Sequence, residues 1–141
     1  MIYSEIITEH NQDTNNKRYI ENADLEERGH NPSCGDDITL LIKFHGDIIS
    51  DLAYQGSGCA ISQASTSMMI DLVKGKTIEE AIYYVNLFIG MIKKEITDEG
   101  ELEKLEDAIA LKNISTLPGR VKCAVLAWHT LEEAIKNKKA V

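Results

Sequence analysis

DITLLIKFHGDIISDLAYQGSG, residues 37–58, decides the fold because it reads as two strands joined by a tight turn. Apolar residues alternate through its first half with the period of a strand, in the series Ile38, Leu40, Ile42 and Phe44. Gly46-Asp47 is a two-residue turn signal, and residues 48–54 return as a second strand. Gly56-Ser57-Gly58 ends this predicted β-hairpin, and the pattern becomes helical at Cys59.

Downstream of the hairpin the apolar spacing is helical. One apolar stripe starts at Ile61 and stops at Lys74-Gly75, a typical helix end. Thr77 and Glu80 have the spacing of a capping box, which predicts the start of the next helix. The acidic turn 97–101 leads into a further apolar series, and a final helix follows Pro118-Gly119.

Upstream of the hairpin the patterns are shorter. Residues 2–10 predict an amphipathic helix that presents Tyr3, Ile6, Ile7 and His10 on one face. Residues 11–18 are polar and predict a loop, and residues 19–30 are assigned one edge strand on weak patterning. Because strands precede helices without alternation, we expect an α+β fold, a small antiparallel sheet of about three strands with helices packed on one face. Residues 1–141 have the length of a single domain.

Charge and hydropathy limit the partners of this chain. The formal net charge of −8 argues against nucleic acid, because phosphate binding needs clustered lysine and arginine. No run of 18 apolar residues occurs, and the N-terminal stretch lacks the pattern of a signal peptide. We therefore expect a cytoplasmic protein with no membrane partner. Three cysteines in such a compartment predict free thiols rather than a disulfide framework.

Each cysteine lies at a junction between predicted elements, where functional sites are commonly built. Cys34 lies in a turn-prone loop, and Gly35 allows that loop to bend so that Cys34 and Asp36 can point to one centre. Cys59 opens a helix, whose dipole favours the thiolate form. Cys123 lies in the first turns of the last helix.

Three thiolates and one carboxylate form a four-ligand set suited to tetrahedral zinc, and the same set suits an iron–sulfur cluster. The spacings match no compact zinc signature, and cysteine is among the most frequently buried residue types. From the residues alone, a thiolate-rich metal pocket and three inert core thiols therefore both stay open.

Three motifs carry a resemblance to a known family. NPSCGD (31–36), GSGCAISQASTSMM (56–69) and RVKCAVLAW (120–128) are similar, in this order, to the three cysteine motifs of the IscU/SufU/NifU-N family. The similarity runs over nearly the whole chain. Lys122 stands where IscU scaffolds carry a histidine, and residues 75–117 resemble the extra segment of the SufU branch.

The resemblance implies a SufE/NifU-like fold and a zinc site of Cys34, Asp36, Cys59 and Cys123. It also implies a SufS-type cysteine desulfurase as partner, together with other Suf assembly proteins. The implied function is zinc-dependent sulfur transfer, with Cys34 as the acceptor of a persulfide sulfur. The alternative is an IscU-like scaffold that holds iron or a [2Fe–2S] cluster, and a third hypothesis is a structural zinc domain that docks other proteins.

Accessory roles follow from neighbouring positions in the motifs. Arg120 either guides the persulfide or is a solvated helix end, and Lys122 either lowers the pKa of Cys123 or is solvated. His30, near Cys34 in sequence, is the histidine that could substitute as a ligand. The loop 11–18 lacks the aromatic and proline residues usual in the family after the first helix, so partner docking there is open.

Overall fold

The computed structural model describes residues 3–12 and 14–140 of the chain. They form an antiparallel sheet of three strands in the order β1-β2-β3, with helices that come mainly after it in the sequence. The strands are β1 Leu25–Asn31, β2 Asp36–His45 and β3 Ile48–Ser57. The helices are α1 Tyr3–Gln12, α2 Ala60–Val73, α3 Ile78–Ile92, α4 Glu99–Leu102 and α5 Pro118–Ala140, with 3₁₀ segments at Glu103–Leu111 and Ile114–Thr116.

The predicted hairpin is confirmed. His45 pairs with Ile48 across the two-residue turn, and Gly46 there has φ 60°, a left-handed value that favours glycine. The register shifts between Lys43 and Phe44, as at a β-bulge. Beyond this shift the pairing continues without a break to Ser57, which brings the two ends of the hairpin next to the motifs of Cys34 and Cys59.

The edge strand β1 is present and is covered by the last helix. Its Gly29 is buried against α5, where an added Cβ would lie 2.1 Å from Oγ1 of Thr130. This close approach requires glycine and allows α5 to lie directly on the strand. The strand is hard to recognise in the sequence because its other buried residue, Asn31, is polar.

The core lies between one face of the sheet and the helices, as predicted. Trp128 of α5 stacks on Phe88 of α3 with ring centroids 4.0 Å apart, and its indole N–H donates to Oγ of Ser65 in α2. Full burial of such a side chain stabilises the fold by about 1.5–3 kcal/mol. The opposite sheet face buries Leu41 and Ala53 under the segment that precedes β1.

His10 anchors the first helix through a polar network. Its Nδ1 lies 3.0 Å from Oγ of Ser67 and its Nε2 lies 2.9 Å from Oδ2 of Asp107. Asn16 donates from Nδ2 to Ser67 and to Asp71. The Ser67 side chain is fully buried, and the network joins α1 and the following loop to α2.

Two details differ from the sequence prediction. Asn11 and Gln12 extend the first helix rather than the loop, while Asp13 and the side chain of Tyr3 lie outside the described residues. The region after 97 is mostly 3₁₀ rather than a regular helix, because Glu106 has φ 53° and interrupts it.

Among the described residues, no helix combines the length and apolar character needed to cross a membrane.

Candidate metal centre

The loop between β1 and β2 presents Cys34. The Cys34 N–H donates to the carbonyl of Asn31 at 3.2 Å, and Gly35 has φ 71°, so the chain turns sharply here. The Cys34 side chain is partly exposed, and its Sγ lies 3.8 Å from the carbonyl oxygen of Gly119 in α5. Cys34 is therefore a thiol that a second molecule can reach.

Asp36 begins β2 and is fully buried. Its Oδ1 accepts a hydrogen bond from the Cys59 N–H at 2.9 Å, whereas its Oδ2 has no hydrogen-bond partner. Gly58 makes this position possible, because a Cβ there would lie 2.6 Å from Oδ1. A buried carboxylate oxygen without a partner is costly, and a bound cation is one way to remove that cost.

Cys59 caps the N-terminus of α2. Its Sγ accepts a hydrogen bond from the Ser62 N–H at 3.4 Å, which is the role that serine or aspartate usually has at a helix start. Cys59 is partly exposed. The Cys59 sulfur therefore lies at the end of α2 that carries the partial positive charge of the helix.

Cys123 lies in the first turns of α5 and is fully buried. Burial is the main cause that raises its pKa above the ordinary thiol value, and interactions with Cys34, Cys59 and Asp36 raise that pKa further. A thiol in this position stays protonated without a counter-charge. A metal ion would supply that charge and displace the proton.

These residues converge on one point, although one of them stands slightly apart. One ligand atom from each of Cys34, Asp36 and Cys123 lies within 4.8 Å of the other two. The Cys59 thiol interacts with Cys123 but lies outside this trio, because its Sγ is held in the helix cap. Thiolate sulfur with one carboxylate oxygen suits zinc and also suits iron–sulfur clusters, so the donor set and the unpaired Oδ2 of Asp36 fit a metal.

The structure distinguishes Arg120 from the other two accessory residues, Lys122 and His30. Arg120 is exposed at the start of α5, and its interactions with Cys123 and Cys59 raise the pKa of its guanidinium. Lys122 is exposed. The side chain of His30 is exposed on β1 and does not belong to the trio of candidate ligands.

Sequence reasoning missed two polar residues of this site. In the described part of the chain, the buried side-chain nitrogen and oxygen atoms without a partner are found at Asn31, Asp36, Ser62 and Ser115. The first three belong to the segments that carry Cys34 and Cys59. Ser62 could have been found from its position three residues after Cys59, where the first helical turn brings it back towards the cap.

The comparisons with known proteins cover almost the whole chain. The sequence profile of the NifU-like N terminal domain matches residues 2–140. The chain is 38% identical over 137 residues to the iron–sulfur cluster assembly scaffold protein IscU of Thermotoga maritima, covering 97% of this chain and 94% of that protein. It is 37% identical over 139 residues to the zinc-dependent sulfurtransferase SufU of Bacillus subtilis, covering 98% and 92% of the two chains.

Solved structures show the same fold. A crystal structure from Fervidobacterium islandicum, described as an iron–sulfur cluster assembly scaffold protein for the SUF system, has a TM-score of 0.88. It is 42% identical, and the match covers 96% of this chain and 97% of that one. The N-terminal part of a NifU-like protein from Brucella abortus, at 21% identity and a TM-score of 0.82, covers 99% and 95% and supports the fold alone.

Proposed function

This chain belongs to the NifU-like N-terminal domain family, and from that premise we propose that it is a zinc-dependent sulfur carrier in iron–sulfur cluster assembly. One domain, residues 1–141, performs this function. The observation that carries the proposal is the buried Asp36, whose Oδ2 has no partner and whose carboxylate lies within 4.8 Å of the thiols of Cys34 and Cys123. Such a carboxylate is suited to hold a cation together with the thiolates.

Cys34, Asp36, Cys59 and Cys123 are the residues proposed to hold zinc. When bound, zinc keeps its cysteine ligands in the thiolate form at neutral pH. The four residues differ in their burial. Cys123 and Asp36 are fully buried on α5 and β2 and anchor the site, whereas Cys34 is carried by a loop at the surface.

Sulfur transfer follows from the accessibility of Cys34. Its thiolate attacks the terminal sulfur of a persulfide on the partner's cysteine, the partner's sulfur–sulfur bond breaks, and the partner's cysteine leaves as a thiolate. Cys34 then carries the persulfide. Arg120, at the mouth of the site beside Cys123 and Cys59, is placed to attract the anionic persulfide.

The proposed sulfur donor is a SufS-type cysteine desulfurase, and the carrier passes its sulfur on to other Suf assembly proteins. The similarity to the protein named zinc-dependent sulfurtransferase SufU supports this assignment, as does Lys122 in place of a histidine ligand. The acidic net charge of −8 suits contact with a basic partner surface.

A second candidate function is a scaffold on which a [2Fe–2S] cluster is assembled. The similarity to the protein named IscU supports it, and the same thiol-rich donor set would accept iron. The two functions differ in what the site retains. A carrier keeps zinc and exchanges sulfur at Cys34, whereas a scaffold keeps iron and inorganic sulfide.

Metal analysis combined with a desulfurase assay distinguishes them. The protein is purified without oxygen, its zinc and iron are measured, and it is then mixed with a SufS-type desulfurase and cysteine. The proposal predicts close to one zinc per chain and faster release of alanine by the desulfurase. Tight retention of a cluster without faster alanine release would favour the scaffold function.

A further inference from the structure

The hydroxyl of Ser62 is a buried polar group that the proposed mechanism does not use. Ser62 is 1% exposed, and its Oγ has no hydrogen-bond partner. Its backbone groups are satisfied, because its N–H donates to Sγ of Cys59 and its carbonyl accepts from Oγ1 of Thr66 at 2.7 Å. An unpaired buried hydroxyl costs about 1–3 kcal/mol, so a position that keeps one needs a reason.

The usual local acceptor does not account for this hydroxyl. A serine inside a helix commonly donates to the carbonyl four residues earlier, which for Ser62 is that of Gly58. That carbonyl accepts a hydrogen bond from Nε2 of Gln63 at 2.9 Å, and Ser62 does not donate to it. The hydroxyl is therefore not explained as a local helix feature.

The space left by Gly58 brings Ser62 and Asp36 together. A Cβ built on Gly58 would lie 3.2 Å from Oγ of Ser62 and 2.6 Å from Oδ1 of Asp36. Both groups border the space that a side chain at position 58 would fill, although no hydrogen bond joins them in the structure. Oδ1 already accepts one bond, from the Cys59 N–H, and a carboxylate oxygen has room for a second donor.

We propose that Ser62 is a positioning residue: when a metal is bound, its hydroxyl turns to donate a hydrogen bond to the carboxylate of Asp36 and so orients Oδ2 towards the metal. Hydrogen bonds from neighbouring groups fix the orientation of metal-binding carboxylates, and their loss typically costs 10- to 100-fold in metal affinity. The inference rests on the proposed function, because it requires Asp36 to be a ligand. Ser62 itself is not one of the four proposed zinc ligands.

The test compares Ser62→Ala with Ser62→Thr, which keeps the hydroxyl, and with Ser65→Ala as a matched control. Ser65 lies on the same helix, but its Oγ donates to the carbonyl of Ala124 and accepts from Trp128 in the core. Zinc affinity is measured by competition with a chelator, cobalt ligation by the absorption spectrum of the cobalt-loaded protein, and stability by thermal unfolding without metal.

Ser62→Ala is expected to bind zinc about 10- to 100-fold more weakly and to alter the cobalt spectrum, without loss of thermal stability. Ser62→Thr should recover the affinity, and Ser65→Ala should lower stability while zinc affinity stays unchanged. Unchanged zinc affinity in Ser62→Ala, or no recovery of zinc affinity in Ser62→Thr, overturns the role of Ser62. The proposed function is not affected by that result as long as the wild type binds zinc tightly. A wild type that retains no zinc overturns both.

Discussion

Replacing Gly58 with alanine should weaken metal binding while the fold persists. The new Cβ would lie 2.6 Å from Oδ1 of Asp36, closer than carbon and oxygen normally approach, so the carboxylate must move. That movement breaks the hydrogen bond from the Cys59 N–H. A hydrogen bond to a charged group contributes about 1.5–3 kcal/mol, and each 1.4 kcal/mol is about tenfold in affinity, so zinc should bind roughly 10- to 100-fold more weakly.

Gly119→Ala is the matched control. Gly119 also adjoins a cysteine of the site, since its carbonyl oxygen lies near Sγ of Cys34, but a Cβ added there meets nothing within 4 Å. Alanine in this first turn of α5 should raise helix stability slightly, by about 0.5–1 kcal/mol at most. Zinc affinity of both variants is measured by chelator competition, and thermal unfolding without metal reports on the fold.

The expected result is a large loss of affinity in Gly58→Ala and none in Gly119→Ala, with both variants folded. If Gly58→Ala bound zinc as tightly as the wild type, the position of the Asp36 carboxylate would not determine metal binding, contrary to this prediction.

Three further predictions concern the fold. Asp51→Asn removes an ion pair with Arg18 and should destabilise by about 1 kcal/mol near neutral pH, in denaturant titrations. Arg18 lowers the pKa of Asp51, so the stabilisation is fully present above the usual aspartate pKa of about 4; the difference between variant and wild type should shrink below that pH and vanish once the pH is below the lowered pKa. His10→Ala removes two hydrogen bonds, to Ser67 and to Asp107, and at about 0.5–1.5 kcal/mol for each bond should cost about 1–3 kcal/mol in the same titrations; a smaller loss than for Asp51→Asn would contradict the anchoring role. Trp128→Ala should cost about 3–5 kcal/mol, and a Tm near that of the wild type would contradict its place in the core.

The hairpin and the helix starts could be predicted from the sequence because their signals are local. Gly46-Asp47 sets a turn whatever surrounds it, and Thr77 with Glu80 forms the predicted capping box. The strand β1 has no such signal, since it is recognised only through its packing against α5. The segment after 97 has apolar spacing typical of a helix, but the left-handed backbone of Glu106 interrupts it, which no local pattern indicates.

The candidate site was predictable as a set of residues and not as a geometry. The motifs named the three cysteines and Asp36, but their separation along the chain says nothing about depth. Only the folded chain has Asp36 buried with an unpaired oxygen and Cys59 engaged as a helix cap. Ser62 lies one helical turn after Cys59 in the sequence, but only the folded chain brings its hydroxyl and Asp36 to the same space beside Gly58.

Mapping the transferred sulfur tests directly whether Cys34 accepts the persulfide sulfur. The zinc-loaded protein is incubated with a SufS-type desulfurase and cysteine, thiols are alkylated, and peptides are analysed by mass spectrometry. We expect one additional sulfur atom on the peptide that contains Cys34, and none on that peptide in Cys34→Ser. Sulfur found on Cys59 or Cys123 instead, or on none of the three cysteines, would contradict sulfur transfer to Cys34.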